Sequence, residues 1–247
     1  MSDRRFLVMD IETIPDWSFF RIVYGLAPEA TLEELHQAVV DHFKSGFMPP
    51  PFHIPFCIAL IDVDGHTSKV LNATVLEAAD EKTLLQHFWK IVRYRKGREE
   101  ARTTLVHFNG RGFDLPVLFY RSLRHRVPVV TWERSRYNFE FSHDLCDDLA
   151  EFGASGRPSL DMVAKLIGLP GKTNVKGSQV EELYLRGEKA KIKDYCMDDA
   201  LTTYHVWLTL RLIRGDISED KYREATESAE QTVRESRMVT DNYFAVP

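Results

Sequence analysis

Asp10 and Glu12 are two carboxylates on one face of an otherwise apolar strand segment, FLVMDIETIP at residues 6–15. Residues two apart in a strand point the same way, so the two acids share a face with Val8. Neighbouring carboxylates repel each other and resist burial unless protons or cations neutralise them. The pair therefore indicates a cation site, or else a strand end that emerges into solvent.

A third acid, Asp199, lies on the apolar face of a long predicted helix. That face is formed at three- and four-residue spacing by Ile192, Tyr195, Cys196, Asp199, Thr203, Val206 and Leu210. The neighbouring Asp198 points about a quarter-turn away, since successive helical residues are offset by about 100°, and is expected to be a solvated surface acid. Tyr195 precedes Asp199 by one turn and should lie beside it. A hydrogen bond from a buried Tyr or Arg would also account for Asp199.

A fourth acid, Asp114, follows a Gly-rich turn in HFNGRGFDLPVLF, residues 107–119. A strand is expected to end before this turn, and a helix is expected to begin at Asp114. Asp is a favoured N-cap, and Leu115-Pro116 behind it fits a first helical turn, so capping alone explains the residue. Both purposes are compatible if one carboxylate oxygen faces the helix backbone and the other faces outward.

The elements that position these acids follow from apolar periodicity and turn residues. Strands are expected at 5–11, 56–63, about 67–73, 102–108 and about 139–143. Helices are expected at 32–43, 81–95, 115–126, 159–168, 178–186 and 188–213, with a further helical stretch after 217. Thr31 and Glu34 form a capping-box signature, and Asp64-Gly65 is expected to form a tight hairpin turn. This order predicts a mixed α/β sheet with helices on its faces.

Composition and charge are those of a soluble globular protein, with 44% hydrophobic and 28% charged residues among 247. No apolar run approaches the roughly 18 residues that span a bilayer, and MSDRRFLVMD lacks signal-peptide features, so no membrane partner is expected. The three cysteines are far apart and lack metal-type spacing, which favours a reducing, cytoplasmic setting. The net charge of −5 argues weakly against a nucleic-acid partner, but two bound divalent cations would reverse the local sign.

Taken in order, these motifs resemble the DEDD-type 3′–5′ exonucleases of the ribonuclease-H-like superfamily. The resemblance rests on D-x-E (Asp10, Glu12), N-x-x-x-F-D (Asn109, Phe113, Asp114) and Y-x-x-x-D (Tyr195, Asp199). The resemblance covers roughly residues 5 to 212. Within this superfamily the sequence resembles the proofreading domain of family B DNA polymerases and, more narrowly, stand-alone bacterial proteins that are predicted to be exonucleases from that similarity. The position five residues before Asp199 is Asp194 rather than His, so the sequence resembles the tyrosine subclass.

The resemblance implies a fold and a site. The fold is a five-stranded ribonuclease-H-like mixed sheet in residues 1–213, with an inserted helical segment at about 17–51 and a helical extension at 214–247. The insert and the extension could cover the substrate cleft, form a dimer contact or merely decorate the fold. The implied ligands of two divalent ions, Mg²⁺ or Mn²⁺, are Asp10, Glu12, Asp114 and Asp199, with Asp10 bridging both ions. Tyr195 would orient the attacking water, because a phenol with a pKa near 10 is a poor base at neutral pH.

Substrate contacts follow from the same resemblance. Thr13 and Ile14 would meet the terminal nucleotide, and Asn109 would orient substrate or brace the turn. Phe113 is a candidate for stacking on a base, whereas Phe108 is expected to pack in the core. Basic runs at 93–98, 121–126 and 189–193 are available for phosphates, although most charge runs are solvated faces.

The expected function is a metal-dependent 3′–5′ exonuclease acting on single-stranded DNA or RNA ends and releasing nucleoside 5′-monophosphates. A short-RNA or structure-selective nuclease on the same fold is one alternative, and a non-catalytic nucleic-acid-binding scaffold is another. The scaffold is disfavoured because an idle site gains nothing from clustered acids. DNA and RNA both stay open, since sugar recognition depends on pocket shape around the 2′ position. The sequence indicates no protein partner.

Overall fold

Five strands form one mixed sheet in the computed structural model, which describes residues 4–93, 103–130, 137, 139–171 and 177–238. The strands are β1 (Arg5–Pro15), β2 (His53–Asp64), β3 (Val70–Leu76), β4 (Thr103–His107) and β5 (Ser142–Asp144). Their spatial order is β3-β2-β1-β4-β5. β1 and β3 pair antiparallel with β2, while β1, β4 and β5 run parallel. The expected ribonuclease-H-like mixed sheet is thereby confirmed.

Helices flank this sheet. Within the described ranges they are α1 (Trp17–Tyr24), α2 (Leu32–His42), α3 (Glu81–Arg93), α4 (Asp114–His125), α5 (Leu145–Leu149), α6 (Leu160–Leu166), α7 (Val180–Leu185), α8 (Lys189–Ile213) and α9 (Glu219–Met238). The expected capping box starts α2, where Thr31 and Glu34 each bond to the other's backbone. No helix of the described chain combines the length and apolar character needed to cross a bilayer.

Strand alternation sends the residues of β1 into two different cores. Leu7, Met9 and Ile11 pack with α3 and α4 on one face. Val8 packs on the other face with α8 and α9. Asp10 and Glu12 have the same parity as Val8, so their side chains point toward α8. The alternation of β1 therefore decides which helix can meet the two acids.

The β2–β3 connection differs from the expected tight turn at Asp64-Gly65. β2 ends at Asp64 and β3 begins at Val70, which leaves a five-residue connection. The Asp64 carboxylate organises it by accepting the backbone N–H groups of Thr67 at 2.6 Å and His66 at 3.1 Å. A Cβ at Gly65 would lie 1.9 Å from the Arg4 carbonyl oxygen, so Gly65 is required by close packing and not by a two-residue turn.

The segment that follows β1 has a small core of its own. Phe20, Leu35, Ala38, Val39, Met48 and Phe52 are its buried members. Helix α1 was not expected; Asp16 caps it by accepting the Phe19 N–H at 2.9 Å. The segment is tied to both faces of the sheet, because Asp16 also bonds to Arg121 of α4 while Glu181 of α7 accepts from Trp17 at 2.7 Å. It thus bridges the two helical layers beyond the end of β1.

Candidate active site

Asp10, Glu12 and Asp199 converge. Oxygen atoms of the three carboxylates lie within 4.8 Å of one another. Asp199 is only 8% exposed and reaches the acids of β1 from the buried side of α8. Helix α8 also contacts the β1 backbone here, since the Cys196 thiol donates to the Asp10 carbonyl oxygen at 3.4 Å. Three hard oxygen donors in a partly desolvated position suit a divalent cation such as Mg²⁺ or Mn²⁺.

Asp114 lies beside this trio but is not part of the group within 4.8 Å. It is the first residue of α4 and is buried. Its carboxyl lies close enough to the backbone N–H of Ile11, the residue between Asp10 and Glu12, to interact with it. The pairing of β1 with β4 ends at Val8, which leaves Ile11 beyond the β4 ladder. The Asp114 side chain, from the start of α4, lies beside β1 at this point.

The expectation that Asp114 caps α4 is wrong. Phe113 is the N-cap residue, and no side chain makes a capping hydrogen bond there. The Asp114 carboxyl lies instead near the backbone of Ile11 on β1. Burial, with added repulsion from Asp144 and Asp199, raises the pKa of Asp114 to about 7. The Asp114 carboxyl is therefore only partly ionised near neutral pH.

Tyr195 completes the cluster on α8. Its hydroxyl donates a hydrogen bond to the Asp199 carboxylate and lies close enough to Glu12 and Asp10 to interact with both electrostatically. Burial, together with these three carboxylates, raises the pKa of Tyr195 well above its ordinary value of 10. The phenol therefore stays protonated at neutral pH and can donate a hydrogen bond, but it cannot take up a proton.

The turn before α4 is held by Asp144, which the sequence analysis did not single out. This buried carboxylate accepts the backbone N–H groups of Asn109 and Arg111, each at 2.9 Å. It also caps α5 through the Cys146 N–H at 3.1 Å. A polar residue before a short helix is a local capping signal, but its reach to Asn109 depends on the parallel neighbours β4 and β5.

Asn109 has a left-handed backbone with φ of 61°, and its side-chain oxygen accepts a hydrogen bond from Arg157 at 2.7 Å. A Cβ at Gly112 would lie 2.8 Å from that same oxygen, so glycine is needed there for close approach. The Asn109 side chain thus links the turn to Arg157, and both roles expected for it stay predictions.

A groove of about 630 Å³ opens beside Asp10 and Asp114. Asn109 and Phe113, both expected substrate contacts, line it, and so does Phe108, which also packs against the α8-side core. Thr13 and Ile14 are partly buried and are not among its lining residues. The opposite wall comes from the segment after α2, including Phe43, Ser45, Phe47, Met48, Pro49 and Pro50.

A second groove of about 660 Å³ lies on the other side of Tyr195 and Asp199, between α6, α7 and α8. Its further acidic lining residues are Asp161, Glu182, Asp194, Asp198 and Glu230, against Arg186 and Lys191. This balance of charge would repel a polyanion. The first groove has fewer acidic lining residues, Asp10 and Asp114, which a bound cation could offset, and it is therefore the better path for a phosphate chain.

Most of the basic residues offered for phosphate binding are committed elsewhere. Arg121 is 3% exposed and bonded to Asp16 and Glu81, so its expected availability is wrong. Arg93 donates to the carbonyls of residues 128 and 129, and Lys193 pairs with Glu77 at 3.0 Å. Arg95, Lys96 and Arg98 lie outside the described residues.

Comparison with known proteins agrees with this geometry. The chain is 22% identical over 205 residues to a DNA polymerase of Archaeoglobus fulgidus, an alignment that covers 78% of this chain and 25% of the polymerase. The chain thus spans about a quarter of the length of that relative. A protein-family comparison matches residues 45–245. This range contains Asp114, Tyr195 and Asp199 but begins after Asp10 and Glu12. The chain belongs to this family, the predicted 3′–5′ exonucleases related to the exonuclease domain of PolB.

Proposed function

We propose that the protein is a metal-dependent 3′–5′ exonuclease that hydrolyses phosphodiester bonds at single-stranded ends and releases nucleoside 5′-monophosphates. The observation that carries this proposal is the convergence of Asp10, Glu12 and Asp199 within 4.8 Å, next to a groove that Asp10 and Asp114 line. Mutual repulsion makes such a cluster unfavourable unless a bound cation offsets it. Family membership supports the direction of attack, from the 3′ end.

Asp10, Glu12 and Asp199 would hold the divalent ions, and Asp114 would join them once it loses its proton. Two such ions, when bound, supply an activated water and stabilise negative charge on the phosphate and the leaving oxygen. The chain's own contributions are separate from this chemistry. The Tyr195 hydroxyl is a fixed donor beside Asp199, and the Asp144-anchored turn fixes Asn109 and Phe113 at the groove.

The proposal is tested with single-stranded DNA and RNA oligonucleotides labelled at the 5′ end, incubated with Mg²⁺ or Mn²⁺ and then with EDTA. We expect a ladder that shortens from the 3′ end, requires metal and leaves the label on the longer product. Internal cuts without a ladder, or degradation that survives EDTA, would contradict an exonuclease at this site. Parallel DNA and RNA time courses identify the preferred sugar.

Tyr195→Phe should lower kcat by about 10- to 100-fold, because it removes one hydrogen bond to a charged group, worth about 1.5–3 kcal/mol. The Mn²⁺-dependent rise in melting temperature should persist, since all four acids remain. Single-turnover kinetics and thermal denaturation measure the two quantities. Tyr222→Phe on α9 is the matched control and should be silent. If Tyr195→Phe instead lost the Mn²⁺-dependent rise in melting temperature, the hydroxyl would act by positioning the metal-binding carboxylates and not by contacting the reacting groups.

Binding of Mn²⁺ should release protons at about pH 6 and almost none at about pH 8.5. The raised pKa of Asp114, about 7, keeps this carboxyl protonated at the lower pH, and it must ionise to bind a metal. Apparent metal affinity should therefore fall below about pH 7, by up to roughly tenfold per pH unit. Titration calorimetry in two buffers of different ionisation enthalpy counts the protons.

Asp114→Asn is the control for this experiment, because its side chain has no proton to release. Equal proton release from the two proteins at about pH 6 would assign the titration to another group. The raised pKa of Asp114 also determines how the free energy of unfolding depends on pH when no metal is added. The folded protein binds the Asp114 proton more tightly than the unfolded chain does, so this group's contribution to stability is lost as the pH rises from the ordinary pKa of 3.8 toward about 7.

A further inference from the structure

Phe47 is a large aromatic side chain that is 56% exposed and lines the same groove as Asp10 and Asp114. It belongs to the segment after α2 and to none of the three acidic motifs. Single exposed apolar residues are common and need no explanation by themselves. Phe47 differs because it lines a groove that Asp10, a member of the acidic cluster, and Asp114 also line.

The backbone on both sides of Phe47 is fixed. Gly46, at φ of 65°, closes a turn with the Phe43 carbonyl at 2.8 Å, and the Phe47 N–H bonds to the Ser45 hydroxyl at 3.2 Å. The Met48 carbonyl that follows is bonded to His53 Nε2 at 3.0 Å.

The same histidine extends the anchor to β1. His53 Nε2 faces a carbonyl oxygen and therefore carries the proton, which leaves Nδ1 to accept from the Thr13 hydroxyl at 2.9 Å. His53 is buried, and burial lowers its pKa, so this arrangement of protons is kept at neutral pH. Through His53, the backbone next to Phe47 is therefore linked to Thr13, the residue that follows Glu12.

The ring of Phe47 is supported on one side. Its centroid lies 5.1 Å from that of His53 at an interplanar angle of 31°, and 5.4 Å from that of Phe113. Despite these two contacts the side chain is 56% exposed, and it lines the groove. An exposed aromatic ring that neighbouring rings hold in place is suited to stack on a planar ring, and every nucleobase offers one regardless of sequence.

We infer that Phe47 is a stacking platform for the base of the 3′-terminal nucleotide and so determines how the strand end is held. This inference rests on the proposed function. A nucleobase is the fitting occupant because the carboxylates and the aromatic face line one groove, so a nucleotide can place its phosphate at the first and its base on the second. The groove volume of about 630 Å³ is within the range of about 300–1,000 Å³ typical of small-ligand sites.

The test compares Phe47→Ala, Phe47→Leu and Phe47→Tyr on oligonucleotides with a normal or an abasic 3′-terminal nucleotide. Alanine and leucine should each raise KM by about 5- to 100-fold on the normal substrate, while tyrosine should restore it. On the abasic end, wild type and Phe47→Ala should have the same KM, because the base that stacks is gone. A KM increase that persists undiminished on the abasic end would overturn the platform, as would an unchanged KM in Phe47→Ala.

Two further measurements separate this inference from the proposed function. Leu123→Ala, at another exposed apolar residue, on α4, should leave KM unchanged. Fluorescence anisotropy of a labelled oligonucleotide in EDTA reports binding alone, and Phe47→Ala should weaken that binding by a similar factor. Phe47-dependent binding without any degradation would contradict the exonuclease and support the platform. If wild type and Phe47→Ala degraded the oligonucleotide with the same KM and bound it equally, the result would support the exonuclease and overturn the platform.

Discussion

Asp199→Asn should lower the rate of 3′-end hydrolysis by at least about 1,000-fold and abolish the rise in melting temperature that Mn²⁺ produces. The side chain supplies one of the three carboxylates that lie within 4.8 Å of one another, and an amide brings no negative charge to a cation. A loss of this size is about 4 kcal/mol of activation free energy, in keeping with the several kcal/mol that a metal centre supplies. Thermal denaturation with and without Mn²⁺ measures metal binding independently of catalysis.

Asp198→Asn is the matched control for that variant. Asp198 precedes Asp199 on α8, but its side chain is 56% exposed and pairs with Arg237, as expected for a surface acid. Its substitution should change activity by less than about twofold, since exposed ion pairs contribute little. If Asp199→Asn kept EDTA-sensitive activity within tenfold of wild type, the acid cluster would not be the site of hydrolysis.

Arg121→Met should destabilise the protein by about 3 kcal/mol, because it removes the main ion-pair partner of two largely buried carboxylates. Asp16 would keep only Arg124, at 3.7 Å, and Glu81 would keep His125, at 2.8 Å. Arg121 lies between Asp16 at 2.5 Å and Glu81 at 2.7 Å. Asp16 starts α1 and Glu81 starts α3, so the guanidinium joins both helices to α4. Urea denaturation should show a lower midpoint with an unchanged slope.

Arg223→Met is the corresponding surface control. Its ion pair with Asp220 is exposed on α9, and the substitution should cost less than about 0.5 kcal/mol. Adding Asp16→Asn and Glu81→Gln to Arg121→Met should recover part of the lost stability, because the uncompensated charges are removed. A loss below about 1 kcal/mol in Arg121→Met would mean that the two acids find other partners or water.

The sequence was informative wherever periodicity alone fixes direction. The alternation of β1 placed Asp10 and Glu12 on the face of Val8, and the helical spacing of α8 placed Asp199 beside Tyr195 and turned Asp198 outward. Both patterns depend only on residues within one element. For that reason the five-stranded fold and the meeting of three acids were predictable from the sequence together with the family resemblance.

The remaining features depend on contacts between elements. The Asp114 carboxyl lies near the Ile11 backbone beyond the β4 ladder, a proximity that no residue near 114 encodes. The basic run at 121–126 gave no sign that Arg121 would be buried between Asp16 and Glu81. Asp144 and Phe47 also reach the site from other segments, so local patterns could identify neither.

The segment that bridges α4 and α7 has a consequence for the order of folding. Its contacts to Arg121 and Glu181, like the meeting of Asp10 with Asp199, join residues that are synthesised at very different times. Contacts of such long sequence separation form late and slowly, since a large loop must close first. During synthesis on the ribosome, Asp10 and Glu12 of β1 can therefore meet Asp199 only after α8 has been made. A nascent chain would therefore lack the assembled acid cluster, and with it the proposed nuclease activity, until most of the fold exists.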